Sequence, residues 1–172
     1  PENSIFVDHS TVSAKVSQEI AIIASNGGFG FLDAPVSGGQ VGAQEGLLTV
    51  MCGGEKEIFE RTKILLECYS KSCILMGKSG SGQLTKMVNQ ICIAGILQGL
   101  SEGLMFSEKA GLDSNLVLEV ISKGAAGSWQ MENRGTTMVK NEFDFGFAVD
   151  WMRKDLGICL QEANKNGTSL PI

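Results

Sequence analysis

At 172 residues, with 43% hydrophobic and 19% charged side chains, the chain suits one large domain or two small ones and is too apolar for disorder. A formal net charge of −5 argues against nucleic acid, which needs clustered Lys and Arg, and no uninterrupted apolar run is long enough to span a bilayer. The opening Pro1-Glu2 lacks the basic residues of a secretory signal, and five cysteines without a C-x-x-C pair fit reduced thiols in a cytoplasmic protein. With His9 the sole histidine, no metal site of Cys and His is expected.

The first part alternates short strands and helices. Ile5 to Val7 reads as a strand, and Thr11 to Ser25 as a helix with Val12, Val16, Ile20 and Ile23 at helical spacing. Ser10 or Thr11 would cap that helix, and Asn26-Gly27-Gly28 would stop it. Phe29 to Leu32 and Leu47 to Cys52 are further strands. Glu55 to Cys68 is a helix with Ile58, Phe59, Ile64 and Leu65 facing inward, and Ser72 to Met76 is a last strand. After Gly77 the pattern is helical throughout: a long helix from about Ser81 to Ala110 with Leu84, Val88, Ile91 and Gly95 on one stripe, a short one from Asn115 to Ser122, and another from Ala148 to Lys165 ended by Asn166-Gly167. The fold class is therefore α/β followed by all-α, with a boundary near residue 79. Gly95, Gly99 and Gly103 recur every four residues in the long helix. Each glycine costs about 1 kcal/mol there, so the spacing implies either tight packing within the chain or a subunit interface.

Two stretches could carry chemistry. In Asp33 to Gly54 a strand enters Ser37-Gly38-Gly39, where bare backbone N–H groups can converge on an anion, although an ordinary turn uses the same residues. In Gly80 to Gln90, Lys86 stands one to two turns inside a helix. The helix N-terminus and desolvation in a cleft would both push it toward neutrality, where it can exchange protons; position alone favours a solvated surface lysine. Gly77-Lys78-Ser79 lacks the first glycine of a P-loop, and neither Gly80-Ser81-Gly82 nor Gly28-Phe29-Gly30 completes G-x-G-x-x-G.

The four motifs FVDHSTVS, DAPVSGG, GSGQLTK and RKDLG, in this order over nearly the whole chain, resemble the β-hydroxyacid dehydrogenase family, and most closely its 3-hydroxyisobutyrate dehydrogenase and tartronate semialdehyde reductase group. The resemblance implies an enzyme that moves hydride between NAD or NADP and a small 3-hydroxy acid or the matching semialdehyde. It makes Lys86 the catalytic acid/base and Ser37, Gly38 and Gly39 the carboxylate site. It puts Thr11 and Lys154 beside the cofactor. The family asparagine four residues after the lysine is Gln90 here, with Asn89 one place early, so either amide could bind substrate, and register favours Gln90. It also implies a homo-oligomer joined through the helical region. No G-x-G-x-x-G lies between a strand and a helix. The expectation is therefore a fragment: residues 1–78 the C-terminal part of a Rossmann-type domain, residues 79–172 a truncated helical substrate and dimerisation domain, the main cofactor-binding motif outside the chain, and this polypeptide alone inactive and without tight NAD binding. The alternative is a non-catalytic helical dimerisation or binding module derived from the same family.

Overall fold

Two parallel crossovers stand on either side of an antiparallel join. The structure, a computed structural model, describes residues 3–144 and 146–171. Strand β1 (Ile5–Asp8) leads through helix α1 (Ala14–Asn26) to β2 (Gly30–Asp33), which pairs with it in parallel. The chain then passes Ala34-Pro35 into the two-residue β3 (Val36–Ser37) and helix α2 (Gly39–Gln44). Strand β4 (Leu48–Gly54) returns antiparallel to both, with Asp33 opposite Gly53 and Val36 opposite Val50. Helix α3 (Lys56–Leu66) and β5 (Ser70–Gly77) complete a second parallel pair on the other side of β4.

Helices α4 (Ser81–Lys109), α5 (Ser114–Ile121), α6 (Trp129–Val139) and α7 (Val149–Asn166) follow. The chain divides into two compact units, one of residues 3–90 with 146–171 and the other of residues 91–144. Helix α4 therefore passes from one to the other. The first unit closes on Leu32, Ala34, Leu48, Val50, Cys52, Phe59 and Leu66, and the second on Leu100, Leu118 and Met131.

The expected remnant of a Rossmann-type domain is corrected here. Strands β1 to β5 form one five-stranded sheet with a core of its own, and the helical part α4–α7 lies in the same chain. The remnant was inferred from a missing glycine motif, which marks a phosphate loop and does not measure how much sheet a sequence encodes.

Several local expectations also change. Ser13, not Ser10 or Thr11, caps α1, its hydroxyl accepting from the Val16 amide at 3.3 Å. Helix α6 lies outside the expected elements because Gly135, Thr136 and Thr137 weaken its pattern; a Cβ at Gly135 would stand 2.8 Å from a Leu118 methyl, so the glycine lets Leu118 pack directly on the helix. The apolar stripes are only partly the buried faces: on α3 Phe59 is buried and Ile58 packs against the core, as expected. Ile23, Ile64, Leu65 and Val88 are all more than half exposed, whereas α4 buries Gln83, Lys86, Met87 and Gln90 at positions i, i+3, i+4 and i+7. A helix that buries its polar face has placed those groups for a purpose other than core packing.

Candidate active site

Asp33 fixes where α4 begins. It ends β2 and is inaccessible to solvent. Its carboxylate accepts from the Gly80 amide at 2.7 Å, the Ser79 hydroxyl at 3.2 Å and the Gln83 amide at 3.1 Å. A carboxylate at a helix N-terminus satisfies orphan N–H groups and complements the dipole. The approach is close enough to need glycine on both sides: a Cβ on Gly53 would stand 2.6 Å from both Asp33 oxygens and 2.8 Å from the Gly82 nitrogen. Sequence reasoning passed over Asp33, because a cap supplied from almost fifty residues away leaves no local signal.

Gln83, one turn into α4, is also inaccessible and clamps the loop after β1. Its Nε2 donates to the Ser10 carbonyl at 2.8 Å and its Oε1 accepts from the Val12 amide at 3.1 Å. Thr11, between those two residues, gives its carbonyl to the Lys154 ammonium at 2.5 Å. Lys154 in turn pairs with Asp155 Oδ1 at 2.9 Å. Gln90 Nε2 donates to Asp155 Oδ2 at 2.6 Å, and Asn89 Nδ2 donates to Gln90 Oε1 at 2.9 Å. A continuous polar chain thus runs from Asn89 through Gln90, Asp155 and Lys154 to Thr11, joining α4, α7 and the loop after β1.

Lys86 belongs to this assembly. It is 7% exposed, and burial lowers its pKa from the ordinary lysine value; the Asp155 carboxylate opposes that shift and the Lys154 ammonium adds to it. The sequence pattern allowed a solvated lysine, and the structure buries it.

Ser37, Gly38 and Gly39 lie at the end of β3 and the start of α2. Gly38 and Gly39 have φ of 132° and 62°, which side chains disfavour. A Cβ on Gly38 would press on Leu48 at 3.1 Å, whereas nothing fills the space at Gly39. The sheet register places Ser37 opposite Thr49. Among the described residues no hydrogen bond or ion pair joins this turn to Lys86. An open cavity of about 320 Å³ is lined by Thr49, Met51, Ile74, Met76, Val88 and Asn89 among others. It is apolar and includes neither Lys86 nor the glycine turn. Among the described residues no cluster of three or more His, Cys, Asp or Glu could hold a metal, and no helix is long and apolar enough to cross a membrane.

A family profile described as "NAD-binding of NADP-dependent 3-hydroxyisobutyrate dehydrogenase" matches residues 80–172. The chain belongs to the 3-hydroxyisobutyrate dehydrogenase family. A second profile, the "NAD binding domain of 6-phosphogluconate dehydrogenase", matches residues 1–77. An uncharacterized oxidoreductase of Shewanella frigidimarina is 60% identical over 98% of this chain and 58% of its own length. The 2-hydroxy-3-oxopropionate reductase of Escherichia coli is 40% identical over 96% of this chain and 56% of its own. A Mycobacterium tuberculosis 3-hydroxyisobutyrate dehydrogenase, solved with L-serine, superposes with a TM-score of 0.86 at 30% identity, over 99% of this chain and 61% of that one. The chain thus spans somewhat under two thirds of the length of these relatives.

These matches correct the expectation that the chain holds only remnants of its two parts. One profile takes in the sheet part and the other the helical part, so the two parts of the 3-hydroxyisobutyrate dehydrogenase architecture are both represented. They also overturn the placing of the main cofactor-binding motif outside the chain, because the NAD-binding profile covers β1 to β5. The expectation of an inactive polypeptide loses its basis with it. The error was to equate a whole cofactor domain with one glycine fingerprint.

Proposed function

We propose that this protein is an NAD(P)-dependent oxidoreductase acting on a small 3-hydroxy acid or the matching semialdehyde. The observation that carries the reading is Lys86: a buried lysine, depressed by that burial, on a helix face shared with Gln83, Met87 and Gln90 and within electrostatic reach of the Asp155 carboxylate and the Lys154 ammonium. Such a group suits proton exchange near neutral pH better than a free lysine does.

The residues present fit a nicotinamide dinucleotide. The loop after β1 leaves the carboxyl end of a parallel strand pair, where open α/β sheets take their ligands, and the half-exposed Lys154 stands on it. Thr11 and Lys154 would hold the nicotinamide end. When bound, that group supplies the hydride acceptor or donor. In the oxidising direction Lys86 Nζ takes the substrate hydroxyl proton as the carbonyl forms, and in the reducing direction it returns that proton to the oxygen. The turn at Ser37, Gly38 and Gly39 would hold the substrate carboxylate through its N–H groups, with open space at Gly39 for the approach. Gln90 is 1% exposed and both ends of its amide are engaged, so its part is to hold Asp155; Asn89, half-buried, is the amide better placed to meet substrate.

Self-association belongs to the same proposal. Gly99 and Gly103 have open space where a Cβ would stand, so nothing among the described residues supplies the close packing their spacing implies. The test of the reaction is Lys86→Met. Turnover of 3-hydroxyisobutyrate should fall by about 10²- to 10⁴-fold while NADP affinity stays the same. Near-normal turnover would remove Lys86 from the mechanism.

A further inference from the structure

His9 follows β1 directly, and the reaction proposed above makes no use of it. Its Nδ1 lies 2.6 Å from the Ala34 carbonyl oxygen and its Nε2 lies 2.9 Å from the Tyr69 hydroxyl. The two rings meet edge to face, 5.6 Å between centroids at 89°. A carbonyl can only accept, so Nδ1 carries the hydrogen and donates; in the neutral ring Nε2 then accepts from the Tyr69 O–H. Burial raises the Tyr69 phenol above its ordinary value, which keeps that proton in place. The ring is thereby held as the Nδ1–H tautomer, the less populated form of a free histidine.

Three segments meet at this imidazole. One is the loop after β1, which carries Thr11. The second is the Ala34-Pro35 crossing that leads into Ser37, Gly38 and Gly39. The third is the turn that opens β5. The Ala34 peptide is gripped at both ends, its N–H donating to the Asp8 carbonyl at 2.8 Å and its C=O accepting from His9. Pro35 is fixed from the other side, its carbonyl accepting from the Met51 amide at 3.0 Å. An exposed side chain with two directed bonds and a ring contact has given up rotamer freedom that a surface histidine keeps. We propose that His9 is a positioning residue that brackets the Thr11 loop to the Ala34 crossing, so that the cofactor-contacting loop and the carboxylate turn keep one fixed spacing. The role in turnover rests on the function proposed above; the bracket itself does not.

Because His9 is the only histidine, a long-range proton–nitrogen NMR spectrum of the protein in mildly alkaline buffer reads its tautomer without assignment. The expected result is a single Nδ1–H ring, with Tyr69→Phe relaxing it toward a mixture. In kinetics, His9→Phe should raise the KM for 3-hydroxyisobutyrate about tenfold, the worth of one hydrogen bond, with the Kd for NADP within about twofold. His9→Asn, whose amide nitrogen can stand where Nδ1 stands, should recover most of the loss. An Nε2–H ring, or His9→Asn no better than His9→Phe in an active enzyme, overturns the positioning role alone. A wild-type protein without turnover but with an Nδ1–H ring overturns the function and upholds the bracket.

Discussion

Gln90 reaches under Asp155, its Nε2 2.6 Å from the carboxylate Oδ2, with both side chains almost closed to solvent. The amide holds the carboxylate toward Lys154 and within electrostatic reach of Lys86. The position that reads by register as a substrate ligand is thus occupied in orienting a charge.

That geometry predicts the effect of Asp155→Asn. Burial lowers Lys86, Asp155 opposes the shift and Lys154 reinforces it. Neutralising Asp155 removes the one opposing influence, so Lys86 falls further. On the proposed mechanism the neutral amine is the active form in the oxidising direction, and the limb of kcat/KM that rises with pH should move to lower pH; in the reducing direction activity should be lost from a lower pH upward. The pH profile of the variant checks this, and a limb that stays in place or moves upward contradicts it.

Asp33→Ala should be among the most damaging single changes in the sheet part. It strips the acceptor from two backbone amides and a hydroxyl at the start of α4. Unsatisfied buried donors cost about 1–3 kcal/mol each, so a loss of about 3–5 kcal/mol is expected from urea unfolding. Asp33→Asn, which keeps an acceptor, should lose less.

The legibility of this protein follows the range of the interactions. Helices α4 and α7 could be read because their stops are local: Gly111 and Gly167 adopt positive φ just past their ends. Strand β3 could not, since two residues after Ala34-Pro35 carry no period, and the antiparallel return of β4 is invisible because alternation does not encode direction. Composition and spacing alone left Lys86 as a solvated surface lysine. What buries it is Asp33 anchoring α4 and Gln83 clamping Ser10 and Val12, pairings formed across 47 to 73 residues of sequence.

Two glycine substitutions should have opposite signs. Gly53→Ala forces a methyl within 2.6 Å of the Asp33 carboxylate and should destabilise by more than about 2 kcal/mol, since that carboxylate is held by the start of α4 and the Gly82 backbone nitrogen lies 2.8 Å away on the other side. Gly99→Ala meets nothing within 4 Å in the interior of α4 and should stabilise the isolated chain by about 0.5–1 kcal/mol. Thermal unfolding at low protein concentration separates them. If Gly99→Ala also weakens self-association in sedimentation, the open glycine face is the interface.

The buried lysine should cost stability, and the sign can be worked through pH. Lys86 has a folded pKa below the value of about 10.5 it recovers on unfolding. Between those two values the unfolded chain binds more protons than the folded one, so the contribution of Lys86 to stability rises with pH across that window. Below the folded pKa both states are protonated, and the fold bears the whole cost of an ammonium out of water. Lys86→Met, similar in length and without charge, should therefore be more stable than the wild type at low and neutral pH. The margin should shrink as pH climbs from the folded pKa toward the unfolded one and level off above it. Urea midpoints at pH values on both sides of the window decide the matter. A margin independent of pH would mean that Lys86 is no more costly folded than unfolded, and the reason for treating it as a tuned acid/base would go with it. A variant that gains stability in this window while losing turnover would show that the fold tolerates the charge for the sake of the reaction.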